Sequence, residues 1–123
     1  MKNKTILVAC NSLDYMLIQK ILESDFKLVV ASTPEEILRL VQSVQHDLLL
    51  IDILFLKAEP GISGYAKSNR TPVIALSSEP NDARDRKLLE RGCCACYIKP
   101  IRQHLFLPFV SYWIGQYAGK AEK

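Results

Sequence analysis

Three residues capable of chemistry each follow a short apolar run: Asp52 after 48–51, Ser77 after 73–76, and Lys99, with Pro100 straight behind it, after 96–98. A carboxylate, a hydroxyl and an ammonium can together accept, hydrogen-bond and neutralise a charged group. Taken singly, each has a plainer reading as a helix cap, a turn residue or a solvated lysine. A fourth run, 6–9, ends in Cys10 and Asn11, and three more thiols, Cys93, Cys94 and Cys96, crowd the start of the last run. Thiols could do redox or metal chemistry. However, no C-x-x-C stands on a strand-to-helix turn and no histidine clusters with them, so the sequence favours buried free cysteines.

The runs themselves say what positions these residues. With 28–31 they number five, and each is continuous rather than alternating, as in strands of a parallel sheet covered on both faces. Helical patterns separate most of them. Ser12 can cap a helix carrying Leu13, Met16, Leu17 and Ile21 on one stripe. Thr33-Pro34-Glu35-Glu36 has a capping-box pattern with proline at the first helical position, followed by Ile37, Leu40, Val41 and Val44. Asn81 or Asp82 opens a helix through Leu88 and Leu89, which Gly92 closes. Between Asp52 and Pro72 the sequence holds Pro60, Gly61 and Gly64, which predicts mostly loop with room for a short helix after Ser63. Pro108 is expected to kink the last helix or delay its start. Strand and helix alternate, so the fold expected is a doubly wound α/β sheet, with function gathered at the carboxyl ends of its strands.

Composition agrees with one ordinary domain. The chain has 123 residues, 49% hydrophobic and 24% charged, enough to bury a core without disulfides or a structural metal. Residues 1–118 are read as the domain and 119–123 as a flexible tail. Sixteen Lys plus Arg against thirteen Asp plus Glu give a net charge of +3. The basic residues are scattered apart from Arg84, Arg86, Lys87 and Arg91, which read as a solvated helix face rather than a nucleic-acid surface. The run 6–10 looks superficially like a lipoprotein cleavage site, but is shorter than the roughly 7 to 15 apolar residues a signal segment needs. No run approaches the ~18 apolar residues of a membrane helix, so the address expected is cytoplasmic, with no membrane or nucleic-acid partner.

The stretches "ILVACN", "HDLLLIDI", "TPVIALSS" and "RGCCACYIKPI" span nearly the whole chain, and their order and spacing resemble a response-regulator receiver domain of the CheY-like superfamily. The resemblance implies a flavodoxin-like, five-stranded parallel sheet of order 2-1-3-4-5, here with a shortened third helix. It also implies a role in two-component signal transduction: Asp52 as phosphoacceptor for a histidine kinase, Ser77 and Lys99 as phosphoryl-binding groups, and Pro100 after a cis peptide bond. Asp52 and Leu54 would be the remaining ligands of a weakly bound Mg²⁺. Cys10 and Asn11 occupy the positions where receivers carry an acidic pair. Leu56 replaces the family's proline four residues after the phosphoacceptor. Cys96 replaces the switch aromatic, and Tyr97, one place later, falls on the opposite side of the strand.

Those departures set the functional expectation. A receiver site with three carboxylates and one lysine carries about −2, which Mg²⁺ neutralises, whereas Asp52 and Lys99 cancel on their own. Asp14 reads as a helix-dipole residue rather than a substitute ligand. The favoured reading is therefore a degenerate receiver acting through protein contacts, with Asp52 and Lys99 paired. The alternatives are a working phosphoacceptor and, remotely, a small thiol enzyme. The partners expected are a histidine kinase or another signalling protein. A homodimer through the last helix is a further possibility, because Phe106, Phe109, Tyr112, Trp113 and Tyr117 exceed what one buried stripe needs. The partner face would join that helix to the fifth strand and to the helix bearing Arg84, Arg86 and Lys87. The competing reading is that the rings cover the sheet.

Overall fold

The structure, a computed structural model, describes residues 3–121. Its elements run β1 (Thr5–Ala9), α1 (Ser12–Leu22), β2 (Lys27–Val30), α2 (Pro34–Ser43), β3 (Leu48–Asp52), α3 (Ile53–Ala58), α4 (Gly61–Ser68), β4 (Val73–Ser77), α5 (Asp82–Arg91), β5 (Ala95–Ile98) and α6 (Gln103–Ala121). The five strands form one parallel sheet of order β2-β1-β3-β4-β5. This is the flavodoxin-like arrangement.

Burial explains the uninterrupted apolar runs. β3 and β4 are buried at every position, β1 at all but its first, and the edge strands β2 and β5 only in part. Alternate residues of each central strand feed two separate cores. Leu7, Leu49, Ile51, Val73 and Ala75 pack under α2 to α5, whereas Ile6, Val8, Leu48, Leu50, Ile74 and Leu76 pack under α1 and α6. The chain leaves β1 toward β2 on one side and returns to β3 on the other, so a crevice opens at the carboxyl ends of β1 and β3.

Several local expectations need correction. The cap of α1 is Asn11, with Ser12 the first helical residue, and the buried stripe is Ile18, Ile21 and Leu22. Leu13, Met16 and Leu17 point outward. The helix is apolar on more than one face, and the sheet selects the face. The crossover from β3 to β4 is mostly helix rather than loop. Ile53 and Leu56 stand three apart and Ile62 and Ala66 four apart, and all four enter the core under the sheet. That packing outweighs the proline and glycine content. Pro60 costs little because it sits at a helix N-terminus, where its missing N–H has no partner to lose. Pro108 lies inside α6, so the helix starts ahead of it.

The remaining caps fall where the sequence puts them. Thr33 Oγ1 accepts from the Glu36 amide at 3.1 Å, and Asn81 Oδ1 from the Arg84 amide at 3.0 Å. Gly92 ends α5 at φ 122°, and a Cβ there would stand 2.9 Å from the Ser63 carbonyl oxygen. Only glycine meets both demands. α6 continues to Ala121, into the segment expected as a tail, and residues 122 and 123 lie outside the described residues. No helix among the described residues is long and apolar enough to cross a membrane.

Candidate functional site at the carboxyl ends of the strands

Asp52 is the last residue of β3 and the cap of α3, and its two oxygens do separate jobs. Oδ1 accepts from the Leu54 amide at 3.0 Å, while Oδ2 accepts from Lys99 Nζ at 2.9 Å. Lys99 follows β5, its peptide bond to Pro100 is cis, and its own amide donates to the Ser77 carbonyl at 2.8 Å. Thus the backbone of β4 anchors the lysine while its side chain crosses to β3. The expected ion pair is present.

A second carboxylate joins it. Asp14 Oδ2 lies 2.6 Å from Lys99 Nζ, with both side chains about as buried as that of Asp52. Asn11 holds it there: its Oδ1 accepts from the Asp14 amide at 2.9 Å, and its Nδ2 donates to Asp14 Oδ2 at 2.8 Å. The site is therefore not neutral, because two carboxylates face one ammonium. Asp14 is more than a helix-dipole residue, and sequence reasoning missed it. The available signal was the Asn-x-x-Asp spacing, which turns the fourth residue back over the strand end.

Burial of Lys99 disfavours its charge, but the hydrogen bonds and charges of Asp14 and Asp52 outweigh this and raise its pKa. Cys10 is pushed up to about 12, first by burial and next by Asp14, with Lys99 opposing. It is a neutral thiol beside the ion cluster. Mg²⁺ prefers hard, anionic oxygen donors in octahedral array, and the two carboxylates that could supply them are both bridged by Lys99. Leu54 lies within the first turn of α3, where carbonyls point along the helix away from Asp52. No cluster of three His, Cys, Asp or Glu among the described residues is placed to hold a metal.

Ser77 is buried, and its hydroxyl is committed elsewhere. It donates to the Glu79 carbonyl at 2.9 Å and accepts from Arg84 Nη2 at 2.8 Å. Arg84 also reaches the Glu79 carbonyl at 2.6 Å and Asp85 Oδ1 at 3.2 Å. This arginine was expected on a solvated face. Like Asp14, it stands three residues after an asparagine cap, where a side chain can reach back to the strand ends. Together Asn11, Asp52, Ser77, Arg84 and Lys99 line a cavity of about 310 Å³.

Cys96 and Tyr97 divide across the strand as expected. Cys96 packs toward the core under α2 to α5, and Tyr97 toward the core under α1 and α6. The Tyr97 ring meets Phe106 edge-on at 4.9 Å and Phe109 at 5.2 Å. Phe106 is fully buried and Trp113 packs against the same core, so these rings mainly cover the sheet, while Tyr112 is left outside. Arg84 and Lys87 line a groove with Lys57 of α3. The thiols do not converge. Cys93 contacts Ser63 Oγ at 3.7 Å, and Cys94 donates to the Val73 carbonyl at 3.2 Å. Burial pushes Cys94 and Cys96 up to about 12 and raises Cys93.

No protein-family model matches the chain, and no curated protein matches its sequence. Solved structures do. A response regulator from Thermotoga maritima superposes with a TM-score of 0.82 at 18% identity, covering 94% of this chain and 99% of that one. A two-component response regulator from Clostridium difficile gives 0.75 at 17% identity, over 91% and 96%. The chemotaxis response regulator CheY4 of Vibrio cholerae gives 0.71 at 18% identity, over 89% and 98%. The chain has the fold of CheY-like response-regulator receiver domains.

Proposed function

We propose that the chain is an atypical receiver module of two-component signal transduction that acts by protein contact and takes up Mg²⁺ and phosphoryl groups poorly. The observation that carries this reading is the Lys99 ammonium bridging Asp14 and Asp52 at 2.6 and 2.9 Å. An internal cation stands between the carboxylates that would otherwise attract an external one. Phosphoryl transfer depends on neutralising the equatorial oxygens, work shared with the metal, so transfer to Asp52 is slow. The module is not an enzyme on this reading, since the thiols are protonated and dispersed. It works in the cytoplasm beside a histidine kinase or another signalling protein, without nucleic acid or membrane. Leu105 and Tyr112, both exposed and two helical turns apart on α6, support a dimer contact through that helix.

The second reading is a working phosphoacceptor. It draws support from the placement of Asp52, Ser77 and Lys99 around one cavity. There, a carboxylate oxygen of Asp52 would bond to phosphorus as the donor's bond to phosphorus breaks. Beryllium fluoride with Mg²⁺ separates the two. The degenerate reading expects amide resonances of Asp52 and Ser77 to stay in place; saturable shifts at both would favour the phosphoacceptor.

A further inference from the structure

Beside the Asp52 cavity lies a second hollow, of about 410 Å³, between α3 and α5. Arg84, Lys87 and Arg91 line it from α5 at helix spacing, Lys57 faces them from α3, and Ala83 and Leu88 supply its apolar part. No carboxylate lines it. A solvated helix face ordinarily mixes acids and bases at three- and four-residue spacing, because like charges there repel. This stripe places base next to base. Of the acids of α5, Asp85 already pairs with Arg84, and Glu90, exposed and three residues from Lys87, does not line the groove.

The geometry points to this groove as a docking site for an acidic segment of a partner protein, with Arg84 linking the docked segment to Ser77. The inference rests on reading the chain as an interaction module, and not on the state of Asp52. Carboxylates of the segment meet Lys57, Lys87 and Arg91, and an apolar side chain lies between them against Leu88 and Ala83. A phosphodiester strand would match the charge but leave that apolar surface unused. Arg84 belongs to both hollows. A carboxylate in the groove competes with Ser77 Oγ and the Glu79 carbonyl for its guanidinium, and so removes one of the bonds that hold the Ser77 hydroxyl in place. By linkage, whatever draws Ser77 toward Asp52 favours docking equally.

The test is an NMR titration of the intact chain, metal-free and at low salt, with a short peptide of repeated Glu-Glu-Leu. A Gln-Gln-Leu peptide and a short oligouridylate serve as comparisons. Expected are saturable amide shifts at Lys57, Arg84, Lys87, Arg91 and Ser77 that weaken as salt is added. Lys87→Gln with Arg91→Gln, both exposed positions, should weaken binding about tenfold or more with at most a small shift in thermal unfolding. In Arg84→Ala the Ser77 shift should vanish while that of Lys87 persists. No saturable shift below about 1 mM would overturn the proposal. So would equal binding of the glutamine peptide, or tighter binding of the oligouridylate at the same amides. The mass of the same sample after acetyl phosphate treatment keeps the two readings apart. Groove binding with Asp52 readily labelled counts against the degenerate receiver alone. No binding with Asp52 unlabelled counts against the groove alone.

Discussion

Lys99 Nζ is closer to Asp14 Oδ2, at 2.6 Å, than to Asp52 Oδ2, at 2.9 Å. The lysine is thus shared by a strand-end carboxylate and one from the first turn of α1, and both are only slightly exposed. Removing the shared cation leaves both anions without their partner. Lys99→Ala leaves two carboxylates facing each other, and we expect a loss of about 1 to 3 kcal/mol in urea unfolding. Mg²⁺ should restore part of it, because the competing ammonium is gone. A Lys99→Ala protein as stable as the parent would show that the bridge contributes little.

Asp52→Ala should cost about 1 to 3 kcal/mol through two losses, the pairing of Lys99 and the cap of α3. Asp52→Asn keeps the cap acceptor and should recover the capping share. Comparing the two by denaturant unfolding separates the contributions.

His46 is buried, and burial lowers its pKa against the opposing effects of its Val44 hydrogen bond and the Asp47 charge. The unfolded chain therefore binds this proton more readily than the folded one. Stability is fully present above the unfolded value of about 6.5 and falls as pH drops below it toward the folded value. Urea midpoints between pH 7 and 5 should decline, and His46→Gln should flatten that slope whatever it does to the midpoint itself.

The alkaline limb has the opposite sign. Cys10, Cys94 and Cys96 are pushed up to about 12, so the unfolded chain loses thiol protons first and stability falls as pH rises above about 9. The same elevation predicts slow alkylation. At pH 8 a thiol with a pKa near 12 is only about one part in ten thousand thiolate. Iodoacetamide should modify the native chain far more slowly than the urea-unfolded chain. Equal rates would reopen the thiol-enzyme reading.

The strands were legible because burial on both faces leaves an uninterrupted apolar run, and 48–51 and 73–76 match β3 and β4 closely. The placement of Asp52, Ser77 and Lys99 was legible for a related reason: a polar residue ending such a run lands at the carboxyl edge of the sheet, where the three line one cavity. Asp14 and Arg84 were not, since both belong to helix first turns and act backward over the strand ends from a cap three residues earlier. The facing of α1 was hidden because Leu13, Met16 and Leu17 make as good a stripe as Ile18, Ile21 and Leu22. Which one is buried depends on the sheet beneath.

The central claim is that Lys99 takes the place of the metal. Its most direct test is a Mg²⁺ titration of the unmodified chain together with mass analysis of Asp52 after acetyl phosphate treatment. The account predicts no saturation below several millimolar, on the order of a few kcal/mol of binding at most, and no appreciable labelling. Cys10→Asp, which returns a carboxylate to the end of β1, should raise both together. Sub-millimolar binding with ready labelling of the unmodified chain would contradict it, and the protein would then be a working phosphoryl acceptor with an unusual metal shell.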